Sequence, residues 1–137
     1  MEPALRDRTI VERGMKSQRI RMELAHMALQ PGIEGCALVE AATGLVWHAS
    51  GFSAHAERVW EAAVDYWRLY ERQKSQFTGL GPLGAVAMYH IEGMLVVLPC
   101  CIDPDVLLVL HGGHGSVDWI ALQRMARSLG ALLQSSD

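Results

Sequence analysis

Long hydrophobic runs are absent from this 137-residue sequence. A helix that spans a bilayer needs about 20 predominantly apolar residues, and no uninterrupted run approaches that length. The N-terminus carries Glu2, Asp7 and Glu12 among its basic residues and has no apolar segment of the signal-peptide kind. The sequence therefore predicts a cytoplasmic protein without a membrane span.

Basic residues are scarce in much of the chain. Twelve Lys and Arg residues stand against fifteen Asp and Glu residues, and no Lys or Arg lies between Gly79 and Gln123. A nucleic-acid binder normally carries a basic stripe, so we expect no nucleic-acid partner. Six of the bases fall within residues 1–30, where a solvated helix of mixed charge is favoured over phosphate or membrane binding.

Cysteine is also infrequent, with three residues and no CxxC motif. Three cysteines do not complete a disulfide framework, and in a cytoplasmic chain we expect free thiols. Cys100 and Cys101 are adjacent in an apolar run, and neighbouring side chains of a strand point to opposite faces. We interpret both as small apolar residues rather than as metal ligands.

Catalytic motifs are missing as well. The sequence contains no GxxxxGK[ST] loop, and the glycine-rich segment 79–84 precedes a strand and includes Pro82, which has no amide donor. No nucleophile, base and orienting group can be assigned, so we predict no enzyme activity, no catalytic residue and no cofactor.

His111 and His114 are three residues apart in a Gly-rich loop. A turn before a helix is favoured there, and a metal site is the alternative.

Disorder is disfavoured, because 50% of the residues are apolar and 20% are charged. A chain of this length suits one domain of about 100–200 residues. The apolar periodicity predicts a domain over residues 17–137 that follows an N-terminal extension, residues 1–16. The predicted elements are a helix from Ser17 to Gln30, strands Cys36–Glu40 and Leu45–His48, a helix Ala54–Lys74 after Ser53, a loop Thr78–Gly84, strands Ala85–Ile91, Met94–Cys101 and Val106–His111, and a helix Val117–Gln134 capped by Ser116.

This order, α-β-β-α-β-β-β-α, predicts an α+β fold with a single five-stranded antiparallel sheet and three helices over it, in a profilin-like arrangement. Glu92-Gly93 and Asp103-Pro104-Asp105 are short enough to make the last three strands a meander. The segment Met94–Leu98 is apolar throughout, which predicts a strand covered on both faces.

The helix predicted over residues 54–74 has an unusually wide apolar face. Its apolar side chains sweep about 220°, whereas a helix that covers one sheet needs a stripe of about 100°. Aromatic residues are enriched at interfaces, so the excess predicts self-association. The predicted interface residues on this helix are Val59, Trp60, Ala63, Tyr66, Trp67 and Tyr70, and the polar arc of Glu57, Glu61, Asp65, Arg68 and Arg72 is the predicted partner surface.

Three segments carry a resemblance to a known family. Gln30–Val39 has the pattern of a PGV-x-G-x-x-LV strand, Thr43–Val46 follows as a hairpin, and Glu92–Pro99 forms a second apolar strand. From Ile20 to Leu133 the chain resembles the dynein light-chain roadblock family. It departs from that pattern at residues 41–43, where an acidic residue often precedes the glycine.

The resemblance implies a homodimer in which the second helices pack together and the third strands pair across the two-fold axis. Ala87 and Tyr89 would then lie at the interface. It also implies a non-enzymatic scaffold or regulator that binds a small Ras-like GTPase, as in bacteria and eukaryotes, or a dynein intermediate chain, as in eukaryotes. The alternative is a small-ligand or metal-sensing module of PAS-like or profilin-like architecture.

Overall fold

The computed structural model describes residues 2–51, 56–102, 105–113 and 117–135. Within these residues the elements follow the predicted order α-β-β-α-β-β-β-α, and the predicted α+β class is confirmed. The helices are α1 (Glu2–Ala28), α2 (Ala56–Gln73) and α3 (Trp119–Gln134), the strands are β1 (Ile33–Glu40), β2 (Val46–Gly51), β3 (Val86–Tyr89), β4 (Met94–Cys101) and β5 (Val106–Gly112), and a 3-10 helix covers Lys74–Leu80.

The five strands form one antiparallel sheet in the order β2-β1-β5-β4-β3. The hairpin between β1 and β2 turns at Gly44, whose φ of 78° is accessible to glycine without strain. Strands β3, β4 and β5 form the predicted meander, with Val97 opposite Val86 on one side and Val109 on the other. This order leaves β3 at one edge of the sheet.

Helices cover both faces of the sheet. Helices α1 and α3 pack on one face, against a cluster that includes Leu38, Val96 and Leu108. Of the three helices, α2 packs on the other face, where Val97 and Val109 belong to the buried cluster. All residues from Met94 to Leu98 are buried, which confirms the prediction that this strand is covered on both sides.

Helices α1 and α3 do not begin where the sequence predicts. Helix α1 begins at Glu2 rather than near Ser17, so the proposed boundary between residues 16 and 17 falls inside a helix. Lys16 Nζ donates hydrogen bonds to the carbonyl oxygens of Leu133, at 3.1 Å, and Ser135, at 2.8 Å. These bonds join α1 to the end of α3.

The prediction that Ser116 caps the last helix is wrong. Helix α3 is capped by Asp118, whose carboxylate accepts a hydrogen bond from the Ala121 amide. Ser116 and Ser53 lie outside the described residues. In addition, the segment after α2 is a 3-10 helix up to Leu80, where the sequence predicts a loop from Thr78 onward.

The prediction that Cys100 and Cys101 face opposite sides of the sheet is also wrong. A bulge shifts the pairing of β4 with β5 between Pro99 and Cys101, and both cysteines pack against the cluster under α1 and α3. A bulge places an extra residue in one strand and breaks the alternation of faces. Burial raises the pKa of the Cys36 and Cys100 thiols to about 12, so both act as small apolar residues.

Candidate functional site

Helix α2 carries two apolar stripes rather than one broad contact face. The first stripe, formed by Trp60, Ala63, Val64 and Trp67, is buried against the sheet of its own chain. Trp60, Ala63 and Trp67 are among the residues predicted to lie at a dimer interface. Their burial within one chain leaves them little area to offer to a partner.

The second stripe, which we call the outer stripe, is formed by Val59, Ala62, Tyr66 and Leu69. Val59 is partly buried against the core cluster, whereas the other three residues are exposed. The spacing of three, four and three residues places all four on one side of a helix. Tyr66 is 41% exposed and Leu69 is 48% exposed, although both side chains are large and mostly apolar. Tyr70 is half-buried between the two stripes. The wide apolar arc therefore has an inner half that builds the core and an outer half that a single chain leaves open.

The predicted polar arc is exposed, but two of its members, Asp65 and Arg68, pair with each other. The Arg68 guanidinium contacts Asp65 Oδ1 at 3.0 Å and donates a hydrogen bond to the carbonyl oxygen of Ala41, also at 3.0 Å. It thereby ties α2 to the turn that follows β1. Glu57, Glu61 and Arg72, together with the paired Asp65, lie on the solvent side of the helix.

The outer stripe lies close to the free edge of the sheet. Strand β3 pairs with β4 on one side, and within the described part of the chain no strand pairs with its other side. Val86 and Met88 pack toward α2, while Ala87 and Tyr89 point to the opposite face. Tyr89 is 69% exposed. An edge strand with exposed backbone groups is a template for pairing with another strand.

A groove of about 410 Å³ separates the outer stripe from the β3–β4 hairpin. Its apolar walls come from residues such as Val59, Tyr66 and Met88, and one end carries Glu34, His90, Glu92 and His111. Among the described residues no group of three or more His, Cys, Asp or Glu side chains could hold a metal ion. His114, the second histidine of the proposed metal pair, lies outside the described residues.

His111 packs at the buried end of this groove. Its ring lies 5.3 Å from the Trp60 ring, between centroids, and its Nδ1 lies 3.7 Å from Glu34 Oε2. Gly35 provides the necessary space, because a Cβ atom there would lie 2.7 Å from His111 Nε2. Burial lowers the pKa of His111, and the Glu34 carboxylate partly offsets this.

Solved structures share this architecture over most of the chain. A roadblock/LC7 domain from Streptomyces avermitilis superimposes with a TM-score of 0.66 at 16% identity, over 84% of this chain and 92% of that chain. The gliding protein MglB from Thermus thermophilus gives a TM-score of 0.70 at 13% identity, over 85% and 90% of the two chains. An MglB structure with a tetrameric arrangement gives 0.68 at 14% identity, over 85% and 89%. The chain has the roadblock fold.

The sequence resembles the roadblock family in the segments around Pro31-Gly32, Thr43-Gly44 and Glu92–Pro99. The shared fold confirms this resemblance in three dimensions. No protein-family model and no curated protein matches the sequence itself. In addition, none of the described helices is long and apolar enough to cross a membrane.

Two residues of the outer stripe were not among the predicted interface residues. Ala62 and Leu69 complete the outer stripe, and Leu69 is among its most exposed members. A signal for them existed in the sequence, since both recur at helical spacing with Val59 and Tyr66. The periodicity did not indicate which apolar residues the sheet would cover.

We expect the stability of this fold to depend on pH through His111. Because burial lowers its pKa in the folded state, the unfolded chain binds a proton more readily below the ordinary histidine pKa of about 6.5. The free energy of unfolding should therefore fall as the pH decreases through this range. Urea denaturation at pH 7.5 and pH 5.5 should show a smaller decrease for His111→Gln than for the native sequence.

The matched control for this prediction is His26→Gln, on the exposed side of α1. This variant should retain the pH dependence of the native sequence. Some dependence should also persist in His111→Gln, because burial and the nearby Arg21 lower the pKa of His48. Equal slopes in His111→Gln and the native sequence would contradict the assignment to His111.

Proposed function

We propose that this chain is a non-enzymatic, homodimeric scaffold or regulator that binds a small Ras-like GTPase in the cytoplasm. The observation that carries the proposal is the outer stripe of α2 beside the free edge of β3. Large exposed apolar patches mark interaction sites, and the edge supplies unpaired backbone donors and acceptors next to it. The structural similarity to MglB, including an MglB with a tetrameric arrangement, supports assembly of several copies.

The dimer follows from placing a two-fold axis beside β3. Such an axis pairs β3 with β3 of a second copy and continues the sheet from one copy into the other. Because α2 lies on one face of each sheet, the same axis brings the two outer stripes together. A single isologous contact thus covers both the apolar stripe and the open strand edge.

The GTPase-binding surface remains outside that contact. Glu57, Glu61, Asp65 and Arg72 lie on the solvent side of α2 and stay accessible after the outer stripes pair. Charged groups at the rim of an interface chiefly set the association rate and its salt dependence. The chain has no phosphate-binding loop in its sequence, so in this proposal the nucleotide is held by the partner.

The proposal is tested with Ras-like GTPases of the source organism, purified and loaded with GDP or with a non-hydrolysable GTP analogue. Light scattering should give twice the 15.1 kDa chain mass, and biolayer interferometry should detect binding of one loaded form. Calorimetry should detect no GTP binding to the chain alone. A monomer, or no binding by any such GTPase, would contradict the proposal.

Charge reversal on the polar arc should change association with the GTPase. We expect Glu61→Lys to alter the association rate at least about threefold and to change its salt dependence, because rim charges steer encounter. Glu61 is preferred to Asp65, which contacts Arg68. Glu23→Lys on α1, on the opposite face of the sheet, is the matched control. Identical kinetics for the two variants would place the contact elsewhere.

A further inference from the structure

We propose that the outward side of α1 binds an amphipathic helix of another protein, one whose apolar stripe is flanked by acidic residues. The contact surface, which we call the α1 seam, consists of Met15, Gln18, Met22, Ala25 and Leu29. It lies on the opposite face of the sheet from α2, so the inference does not depend on the proposed dimer. A helix bound there leaves the outer stripe and the polar arc of α2 free.

The α1 seam follows the spacing by which two helices pack along each other. Its members are separated by three, four, three and four residues, which is the repeat of positions a and d in a heptad. Such a repeat forms a narrow stripe along one side of a helix, and this narrow shape fits a second helix. Gln18 is the polar member of the seam, and one polar residue at such a position fixes the register of the partner.

The α1 seam is exposed along its whole length. Met15 is 59% exposed, Met22 is 63% exposed and Leu29, directly after the helix, is 82% exposed. Gln18 and Ala25 between them are exposed as well. Single apolar residues scattered over a surface need no explanation, whereas several in one line mark an interaction site. Methionine suits such a site because its flexible thioether chain adapts to the surface of a partner.

The core of the chain cannot cover this seam, because α1 already packs through its other side. Ile20, Leu24 and Met27 are buried in the cluster under α1 and α3. At about 100° per residue, the seam lies on the side of the helix opposite these three residues. Lys16 holds α1 in this orientation through its two hydrogen bonds to the end of α3. The seam is therefore a fixed outward surface.

The charges beside the seam indicate which kind of helix fits. With Met15 and Met22 at position a, the flanking positions e and g hold Arg19, Arg21 and His26 and no acidic residue. Charges at e and g set the choice of partner, because they face the e and g positions of the other helix. A helix with Glu or Asp at these positions is complementary to α1.

The same charges disfavour a second copy of this chain as the occupant of the seam. Two α1 helices would bring basic flanks against basic flanks in either a parallel or an antiparallel pair, and like charges across an interface are unfavourable. Two exposed arginines of α3, Arg124 and Arg127, add positive charge to the same face of the domain. The chain as a whole has a net charge of −3, so this positive charge is local.

The first test uses a labelled synthetic peptide of about four heptads, with leucine at a and d and glutamate at e and g, whose own flanks repel each other. Fluorescence anisotropy should show micromolar binding that weakens as salt is added, because salt screens the charges. The same peptide with lysine at e and g should not bind detectably.

Met22→Glu should raise the dissociation constant of the glutamate peptide at least about 30-fold, because it places a carboxylate at the centre of the apolar contact. Leu80→Glu is the matched control. It makes the same change at an exposed apolar residue of the 3-10 helix, outside the seam, and should remain within about twofold of the native sequence.

The second test exchanges the charges beside the seam in an Arg19→Glu, Arg21→Glu double variant. This variant should bind the lysine peptide and should bind the glutamate peptide at least about tenfold more weakly than the native sequence does. Both arginines are exposed, so circular dichroism should show an unchanged fold. Binding of the lysine peptide itself demonstrates that the seam of the double variant is intact.

The outcomes separate a partner helix from the other possible occupants. An exchange of peptide preference in the double variant, together with the loss in Met22→Glu, supports the inference. Absence of peptide binding, or equal binding of both peptides, overturns it. A change of oligomeric mass in Met22→Glu overturns it in favour of a contact between copies. Binding to vesicles of phosphatidylcholine and phosphatidylserine that Met22→Glu abolishes, without peptide binding, overturns it in favour of a lipid surface.

Discussion

Tyr66→Glu should yield a folded monomer. Tyr66 lies at the centre of the outer stripe and is 41% exposed in the single chain, so a glutamate there remains solvated as long as the chain is monomeric. In the proposed dimer two such carboxylates would be buried next to each other, and each unpaired buried charge costs several kcal/mol. We expect the dimer dissociation constant to rise by at least about 1,000-fold. Light scattering gives the mass, and circular dichroism checks that the fold is retained.

Arg72→Glu is the control for this prediction. It introduces the same side chain on the same helix, but on the exposed polar side, and should leave the dimer mass unchanged. If Tyr66→Glu remains a dimer at micromolar concentration, the outer stripe is not the interface between copies.

Trp67→Glu, one residue along the helix, should instead unfold the chain. Trp67 is 8% exposed and belongs to the core between α2 and the sheet. Removing a buried tryptophan side chain costs about 3–5 kcal/mol, and a buried carboxylate without a partner costs several kcal/mol more. The sum approaches the whole free energy of unfolding of an ordinary domain, about 5–15 kcal/mol.

Urea denaturation followed by circular dichroism measures this loss. Trp67→Glu should be largely unfolded before urea is added, while Tyr66→Glu should unfold cooperatively near the native monomer. A folded, monomeric Trp67→Glu would mean that Trp67 contributes to the contact between copies rather than to the core of one chain.

Much of the fold is readable from local patterns. Strand β4 has the bounds that the sequence predicts, Met94–Cys101, because an apolar run between Glu92-Gly93 and Asp103-Pro104 has clear ends in the sequence. The end of α1 follows from Pro31-Gly32, where Gly32 has a φ of 87° that few other residues adopt. These features depend on residues that are neighbours along the chain.

Details that depend on distant contacts were missed. The bulge in β4 arises where the pairing of Cys101 with Val106 slips by one residue, and nothing in the alternation of apolar residues marks it. The tie between Arg68 and the Ala41 carbonyl oxygen joins residues far apart in sequence. Both features depend on how separate elements pack, which local spacing does not report.

The sequence by itself determined the order of helices and strands, the apolar width of α2 and the absence of a phosphate-binding loop, since each is a property of neighbouring residues. Only the tertiary structure decided which half of that width the sheet covers. Helix α2 packs with Trp60 and Trp67 inward, so Tyr66 and Leu69 remain outside. The physical reason is that burial is set by where a helix lies on a sheet built from strands distant in sequence, whereas periodicity describes the helix alone.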